Sequence, residues 1–224
     1  MNKLLPFLSG MLMLITFSAC RDNSASPVRN VRFDPDLLNK MQVAGNACSS
    51  YSYVDGGQSK SLGVVYTKQV LVAFEPHISA ADQQLLLQKY GFVKSLGTQA
   101  ASKSAVLQSL VLQDGLNCKQ VEQALLTLAA DAQIAYAAPY FLSGKQLLGI
   151  SNEVIVTVEQ DGLSTLQELA RDYKAEVQPS SPGSNIYLVK VSKHSNGNAL
   201  ELANFLQKQP GIAQAAPDFI LAAQ

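Results

Sequence analysis

An internal repeat constrains the fold of this chain more than any other feature of its sequence. Two similar stretches occur, Tyr136-Ala-Ala-Pro-Tyr-Phe-Leu142 and Gln214-Ala-Ala-Pro-Asp-Phe-Ile220. Each follows, at long range, an apolar opening stretch, Gln69-Val-Leu-Val-Ala-Phe-Glu75 in the first copy and Glu153-Val-Ile-Val-Thr-Val-Glu159 in the second. A recurrence of this kind marks structural units that follow one another along the chain. Most of the chain therefore divides into two modules.

The order of patterns inside each copy predicts the fold. An apolar strand, an amphipathic helix, two strands, a second helix and a closing strand succeed one another in both. Ser79 with Asp82 marks the start of one helix and Asn117 the start of another. This βαββαβ order predicts an α+β protein made of two ferredoxin-like modules in tandem, each an antiparallel sheet with two helices on one face. We place them at residues 68–143 and 152–224, and expect them to pack together across the short connection.

The N-terminus predicts export and lipid attachment. Lys3 precedes an apolar run that is too short for a membrane span and ends in Phe17-Ser-Ala-Cys20. Small residues directly before a cysteine resemble the bacterial lipobox, which implies removal of residues 1–19 and lipidation of Cys20; ordinary secretion with an incidental cysteine is the alternative. Because Arg21, and not Asp, follows Cys20, the sorting rule of enteric bacteria favours the outer membrane over the inner one.

Residues between Cys20 and the first module have no counterpart in the second. Residues 20–33 are polar and predict a tether. Residues 34–67 form an N-terminal extension, with a short helix predicted after Asp34 and a loop rich in Ser, Gly and Tyr after it. In an oxidising envelope Cys48 and Cys118 are candidates for a disulfide. The sequence leaves open whether they lie close enough to pair.

The chain offers little for catalysis, metals or nucleic acid. Its 17 basic and 17 acidic residues balance, so there is no basic footprint for nucleic acid or anionic lipid. The two histidines, His77 and His194, belong to no metal-binding or triad pattern, and Glu168 with Asp172 reads as surface charge on a helix. We predict no enzyme, no metal and no cofactor, with Asp55-Gly-Gly57 as a turn and not a phosphate cradle.

One family resemblance can be named from these residues. A Val-Ile-Val opening strand, a helix, a Tyr-x-Val strand, a second helix and a closing Ala-Pro-Asp look like the subtilisin propeptide, or inhibitor I9-like, family. Both modules resemble it, although Ala216 stands where the family commonly has Glu. The resemblance implies binding without chemistry: such propeptides dock their sheet on a subtilisin-like protease, lay a C-terminal tail along its substrate cleft, and act as inhibitors and folding chaperones.

On that resemblance the C-terminal tail is the predicted protease-binding segment. We expect the last strand to end near Ala216, because Pro217 cannot donate a ladder hydrogen bond. The tail then comprises Phe219, Ile220, Leu221, Ala222, Ala223 and Gln224. The alternative is that its apolar residues continue the last strand.

Two functions are therefore open for a lipid-anchored envelope protein. One is inhibition or chaperoning of a subtilisin-like protease. The other is a structural or adaptor role, in which the tandem modules bind another envelope protein and no protease is involved. An exposed tail favours the first, and a tail held in the core favours the second.

Overall fold

The structure is a computed structural model that describes residues 48–222. The predictions for the signal peptide, Cys20, the tether and the helix after Asp34 lie outside these residues. The strands are β1 Ser52–Asp55, β2 Gln58–Ser61, β3 Val64–Phe74, β4 Val93–Ala101, β5 Val106–Leu112, β6 Ile134–Ser143, β7 Gln146–Val158, β8 Glu176–Pro179, β9 Ile186–Lys190 and β10 Ile212–Ala222. The helices are α1 Ala80–Leu87, α2 Cys118–Ala129, α3 Gly162–Asp172 and α4 Ala199–Leu206.

Strands β3 to β10 form one antiparallel sheet. Hydrogen-bonded neighbours run in the order β4-β5-β3-β6-β7-β9-β8, with β10 also on β7. The α+β class and the antiparallel sheet are thus confirmed. The first half contributes the order β6-β3-β5-β4 and the second the order β10-β7-β9-β8, so corresponding strands occupy corresponding places.

A hairpin joins the two halves edge to edge. Strands β6 and β7 pair from Tyr140 opposite Gly149 to Ser143 opposite Gln146, on either side of a turn at Gly144. Strand β7 then continues between β9 and β10 in the second half. The predicted connection between modules is therefore part of the sheet. Strand β3 likewise begins at Val64, ahead of the predicted boundary at residue 68.

Both closing strands run on through their prolines, so the predicted end of the last strand near Ala216 is wrong, and the same holds at Pro139. Each ladder shifts register just after its proline, between Pro217 and Phe219 in β10 and around Tyr140 in β6. Within residues 48–222, β10 pairs only with β7, and Pro139 pairs only with β3. A proline with a strand on one side alone can direct its missing N–H away from the ladder.

The helices begin where the sequence predicts. The Ser79 side chain accepts from the N–H of Asp82, and Asn117 forms a reciprocal capping box with Gln120. These caps satisfy N–H groups that a helix leaves unpaired at its start. The segment after Cys48 differs from the predicted loop, because β1 and β2 form a hairpin whose turn holds Gly56 and Gly57, both at positive φ. The Asp55-Gly-Gly57 turn is confirmed.

Candidate functional site: the open face of the second-half sheet

The sheet of the second half has one buried side and one exposed side. Val154, Val156 and Val158 of β7 are 0–5% exposed, and they alternate with Ile155, which is 39% exposed. Successive side chains of a strand point to opposite sides of a sheet. Residues paired with Ile155 and Thr157 therefore share the exposed side, which we call the open face.

The open face is built from four strands in register. Its members are Ile155 and Thr157 of β7, Ile186 and Leu188 of β9, Gln178 of β8, and Gln214 and Ala216 of β10. Ala216, Ile155, Leu188 and Gln178 form one row across all four strands, and Gln214, Thr157 and Ile186 form the next. The centre of the face is apolar, with Ile155 and Ile186 exposed and Leu188 buried, and its margins are the amides of two edge strands. A flat surface of this composition suits another protein better than a small ligand.

A pair of carboxylates adjoins one end of the open face. Glu153 lies opposite Lys190 on β9, is fully buried, and accepts at Oε2 from the N–H of Lys103, 3.0 Å away. Its Oε1 has no hydrogen-bond partner among the described residues. Asp218 sits in the register shift of β10; burial raises its pKa, a hydrogen bond from Ser151 opposes this, and the charge of Glu153 adds to the rise.

Among the residues that the structure describes, the first half has no such open face, although its sheet has the same strand order. Residues Val70, Leu71, Val72 and Ala73 of β3 are all buried, so both sides of this strand are covered. Leu71 pairs with Ser109 on β5 and therefore points to the same side as Ser109. Leu71 and Ile155 hold the same place in the two opening stretches, yet Leu71 is 0% exposed.

Tyr140 covers this side of the first half. Its hydroxyl lies 2.7 Å from Oγ of Ser109, a residue two strands away across β3. Its ring also packs on Gly149, where an added Cβ would come within 2.7 Å of the ring and 3.2 Å of Leu71. We call the Tyr140 ring, with Ser109 beneath its hydroxyl, the tyrosine roof. Asp218 holds the corresponding place in the second closing stretch and is too short to form a roof.

The other predicted site residues lie apart from the open face. Cys48 and Cys118 form a disulfide with a Cα–Cα distance of 5.9 Å, within the usual range. His77 and His194 are exposed, as are Glu168 and Asp172 on α3 beside Arg171. Residues 48–222 contain no group of three or more metal-binding side chains and no helix suited to crossing a membrane.

The predicted tail is part of the sheet as far as the structure describes it. Phe219, Ile220, Leu221 and Ala222 pair with β7, from Phe219 opposite Ile150 to Ala222 opposite Leu147. Ile220 is buried and the Phe219 ring lies 5.1 Å from that of Tyr53, whereas Leu221 is 69% exposed. Ala223 and Gln224 lie outside the described residues. For residues 219–222 the alternative interpretation of the sequence is therefore correct: they continue the last strand.

Comparison with known proteins supports one propeptide-like module in the second half. The family model Fervidolysin_NPro-like, the fervidolysin N-terminal prodomain, matches residues 150–218. The matched range includes the whole open face, Glu153 and Asp218. No curated protein matches the chain.

The open face could have been found from the sequence with one more comparison. The alternation of Val154, Ile155 and Val156 does not distinguish a half-buried strand from a fully buried one, because all three residues are apolar. The difference between Tyr140 and Asp218 in the repeated closing stretches was the available signal. A large ring at that place in one copy, and a short charged group in the other, predicts unequal burial.

Proposed function

We propose that this protein is a non-catalytic binding protein whose second half binds a subtilisin-like protease through the open face, as an inhibitor or a folding chaperone. The observation that carries the proposal is that the open face lies wholly inside residues 150–218, the range matched by the prodomain family. A propeptide-like domain is compatible with either role.

The composition of the open face supports protein binding. Ile155 and Ile186 supply an exposed apolar centre whose burial on binding is worth about 25 cal/mol for each Å² removed from water, while Leu188 beside them is already buried. The amides of Gln178 and Gln214 lie at the margin, where polar groups of a binding surface usually lie. The paired strands hold this surface rigid, so little conformational entropy is lost when a partner docks.

Binding through the open face does not require a free C-terminal tail. Residues 219–222 are committed to β10, so in this conformation they are not available to enter a substrate cleft as an extended segment. Binding through the face leaves the ladder intact. Within the sheet, Leu221 is the tail residue whose side chain is exposed to a partner.

An inhibition assay with matched variants tests the proposal. Subtilisin-like proteases from the same organism are assayed with the wild type, with the double variant Ile155→Gln/Ile186→Gln, and with Val106→Gln as a control on another exposed strand residue, 64% exposed. We expect the double variant to raise the inhibition constant about 10- to 100-fold, since 1.4 kcal/mol is tenfold. The control should inhibit like the wild type, with circular dichroism confirming the fold of all three.

Two results would refute the proposal. One is a wild type that neither inhibits any such protease nor raises its refolding yield. The other is an equal loss of inhibition in the double variant and in Val106→Gln, because the effect would then not belong to the open face.

An adaptor role is the second candidate, and the pairing of residues 219–222 with β7 favours it. A strand that is held in the sheet needs no protease cleft to explain it. In this role the same face binds another envelope protein. Capture from envelope extract, with residues 1–33 removed and Ile155→Gln/Ile186→Gln as the negative control, separates the candidates: recovery of a non-protease partner through the open face supports the adaptor.

We also infer that the two halves are tandem ferredoxin-like modules, at about residues 68–143 and 152–222. Equal strand orders in the sheet and equal element orders along the chain support this. An experimental structure tests it: the two halves should superpose strand for strand and helix for helix. Different strand orders in the two halves would contradict it.

Attachment to the envelope through lipidated Cys20, with the outer membrane favoured, remains a proposal supported by the sequence alone. The apolar run ending at Cys20 motivates it. Palmitate labelling in cells should disappear in Cys20→Ala and persist in Cys48→Ala. Persistent labelling of Cys20→Ala would refute the lipid anchor.

A further inference from the structure

Residues 48–55 run from the disulfide to the end of β1, and we call them the strap. Their start is fixed to the first half. Cys48 is bonded to Cys118 at the first residue of α2, and the N–H of Ser49 donates to Oε1 of Glu122 at 3.0 Å. The Tyr51 ring packs at 4.9 Å from that of Phe141 on β6. The strap is therefore held covalently and by side chains at its first-half end.

The far end of the strap is fixed to the second half. Asn204 on α4 bonds the strap twice: its Nδ2 donates to the carbonyl of Ser52 at 2.9 Å, and its Oδ1 accepts from the N–H of Val54 at 3.0 Å. The Tyr53 ring meets the Phe219 ring edge to face. The strap thus bridges the two halves, and its Tyr53 contacts Phe219, the first residue of β10 after the register shift.

We propose that the strap is a redox-controlled latch that keeps residues 219–222 in the sheet. The register shift at Asp218 interrupts the β10 ladder, so the segment beyond it can separate while residues 212–217 stay paired. Strand β7 keeps β6 as a neighbour along residues 146–149 when the segment leaves. Tyr53 packs on Phe219 at the hinge, where the contact opposes separation most directly.

Reduction opens the latch by freeing the start of the strap. A dithiol reductant transfers two electrons and two protons to the Cys48–Cys118 bond, giving two thiols, while its own sulfurs join in a new disulfide. The strap then keeps its hydrogen bonds to Glu122 and Asn204 but loses its covalent tie. Without this tie the strap is held by non-covalent contacts alone, so its local opening costs less free energy. Each opening of the strap removes Tyr53 from Phe219.

An opened latch gives the second half an extended apolar segment. Such a segment can add to the sheet edge or cleft of a partner through main-chain hydrogen bonds. This consequence rests on the proposed function, because it makes reduction a regulator of protease binding. The latch itself concerns only the pairing of residues 219–222 and is measurable with no protease present.

Amide hydrogen exchange resolved by residue tests the latch. The oxidised protein is compared with the same protein after dithiothreitol treatment and with Asn204→Ala, which keeps the disulfide and removes both hydrogen bonds to the strap. We expect exchange of the protected amides among residues 219–222 to rise at least tenfold in both. Exchange at residues 154–157, in the middle of β7, should stay within twofold and serves as the internal control.

Unchanged exchange at residues 219–222 after reduction would overturn the redox control, and unchanged exchange in Asn204→Ala would overturn the role of the strap. An equal rise at residues 154–157 would also overturn it, since the disulfide would then stabilise the whole fold. Unfolding of the reduced protein overturns the redox control for the same reason. A latch that opens while neither redox form binds a protease leaves the latch standing and refutes the proposed function.

Discussion

The two halves of the molecule share a strand order but differ on one side of the sheet. In the first half Tyr136 and Tyr140 flank the repeated Ala-Ala-Pro, and both are buried; in the second Gln214 and Asp218 stand in their places. Tyr140 roofs its own sheet, and the Tyr136 hydroxyl donates to the carbonyls of Ile150 and Ser151. The first closing stretch thus uses its variable residues for packing, whereas the second leaves its sheet accessible.

In a repeated fold, a difference of this kind shows which copy presents a surface to a partner. Two copies with one topology need not both bind a partner, because a single ring can close a surface that the other copy keeps open. The match to the prodomain family falls on the copy with the open face. Substitutions at corresponding positions of the two halves test how far this contrast extends.

Tyr140→Asp should have the largest effect on stability. It gives the first half the closing residue of the second, removes a ring that is 1% exposed, and puts a carboxylate in its place. Loss of a buried aromatic side chain costs about 3–5 kcal/mol of unfolding free energy. Urea denaturation measures this. Tyr140→Phe keeps the ring and should lose only about 1 kcal/mol, for the bond with Ser109; equal losses in both variants would contradict the roof.

Leu71→Ala and Ile155→Ala compare the same place in the two opening stretches. Leu71 is fully buried beneath Tyr140, so its truncation should cost about 2–5 kcal/mol of unfolding free energy. Ile155 is 39% exposed, so the Ile155→Ala substitution should lower the unfolding free energy by only about 1 kcal/mol. Both follow from the same denaturation measurement. Similar costs at the two positions would show that the second-half face is covered in solution.

Tyr136→Phe and Gln214→Ala compare the residues before Ala-Ala-Pro. Without its hydroxyl, Tyr136 no longer donates to the buried carbonyls of Ile150 and Ser151, at a cost of about 1–2 kcal/mol. Gln214 is exposed and its truncation should change the unfolding free energy by less than about 0.5 kcal/mol. Thermal unfolding of the Tyr136→Phe and Gln214→Ala variants measures the two losses of stability. Equal losses would show that the Tyr136 hydrogen bonds add no net stability.

Asp218→Asn should give the smallest effect, visible in the pH dependence of stability. Burial raises the pKa of Asp218 above its value in the unfolded chain, so the folded protein binds this proton more tightly. Stability from this group therefore grows as the pH falls through the folded pKa toward the unfolded one, and is lost above it. The amide introduced by Asp218→Asn stays neutral at every pH, so the variant should be slightly more stable at pH 7 and show a flatter profile between pH 3 and 7.

Equal slopes in the wild type and in Asp218→Asn would show that Asp218 does not couple to folding. Tyr140 offers the contrast, because the first half has no carboxylate at that place. The Tyr140→Phe variant, which lacks the hydroxyl, should show the same dependence of unfolding free energy on pH between pH 3 and 7 as the wild type.

Local sequence signals predicted the elements of this fold well. Caps at Ser79 and Asn117, and the apolar openers, depend on residues within a few positions of one another. The order of elements follows from these signals together with the repeat. Such local signals do not predict which strand pairs with which.

The missed features depend on contacts between distant residues. Pro139 and Pro217 are tolerated because each has a strand on one side only, which is a property of the assembled sheet. For the same reason residues 219–222 could not be placed in β10 from the proline alone. Leu71 is buried where Ile155 is exposed, and Tyr140, which lies near it on that side, is far along the chain.

Strand β7 joins the two halves into one sheet, because it pairs with β6 of the first half and with β9 and β10 of the second. Cleaving the chain between Ser143 and Gln146 and separating the halves would leave two unpaired strand edges, one on β6 and one on β7. Exposed edges of this kind recruit other chains and promote aggregation. The two halves should therefore melt in a single cooperative transition, and a fragment beginning at Gln146 should self-associate where the intact chain does not.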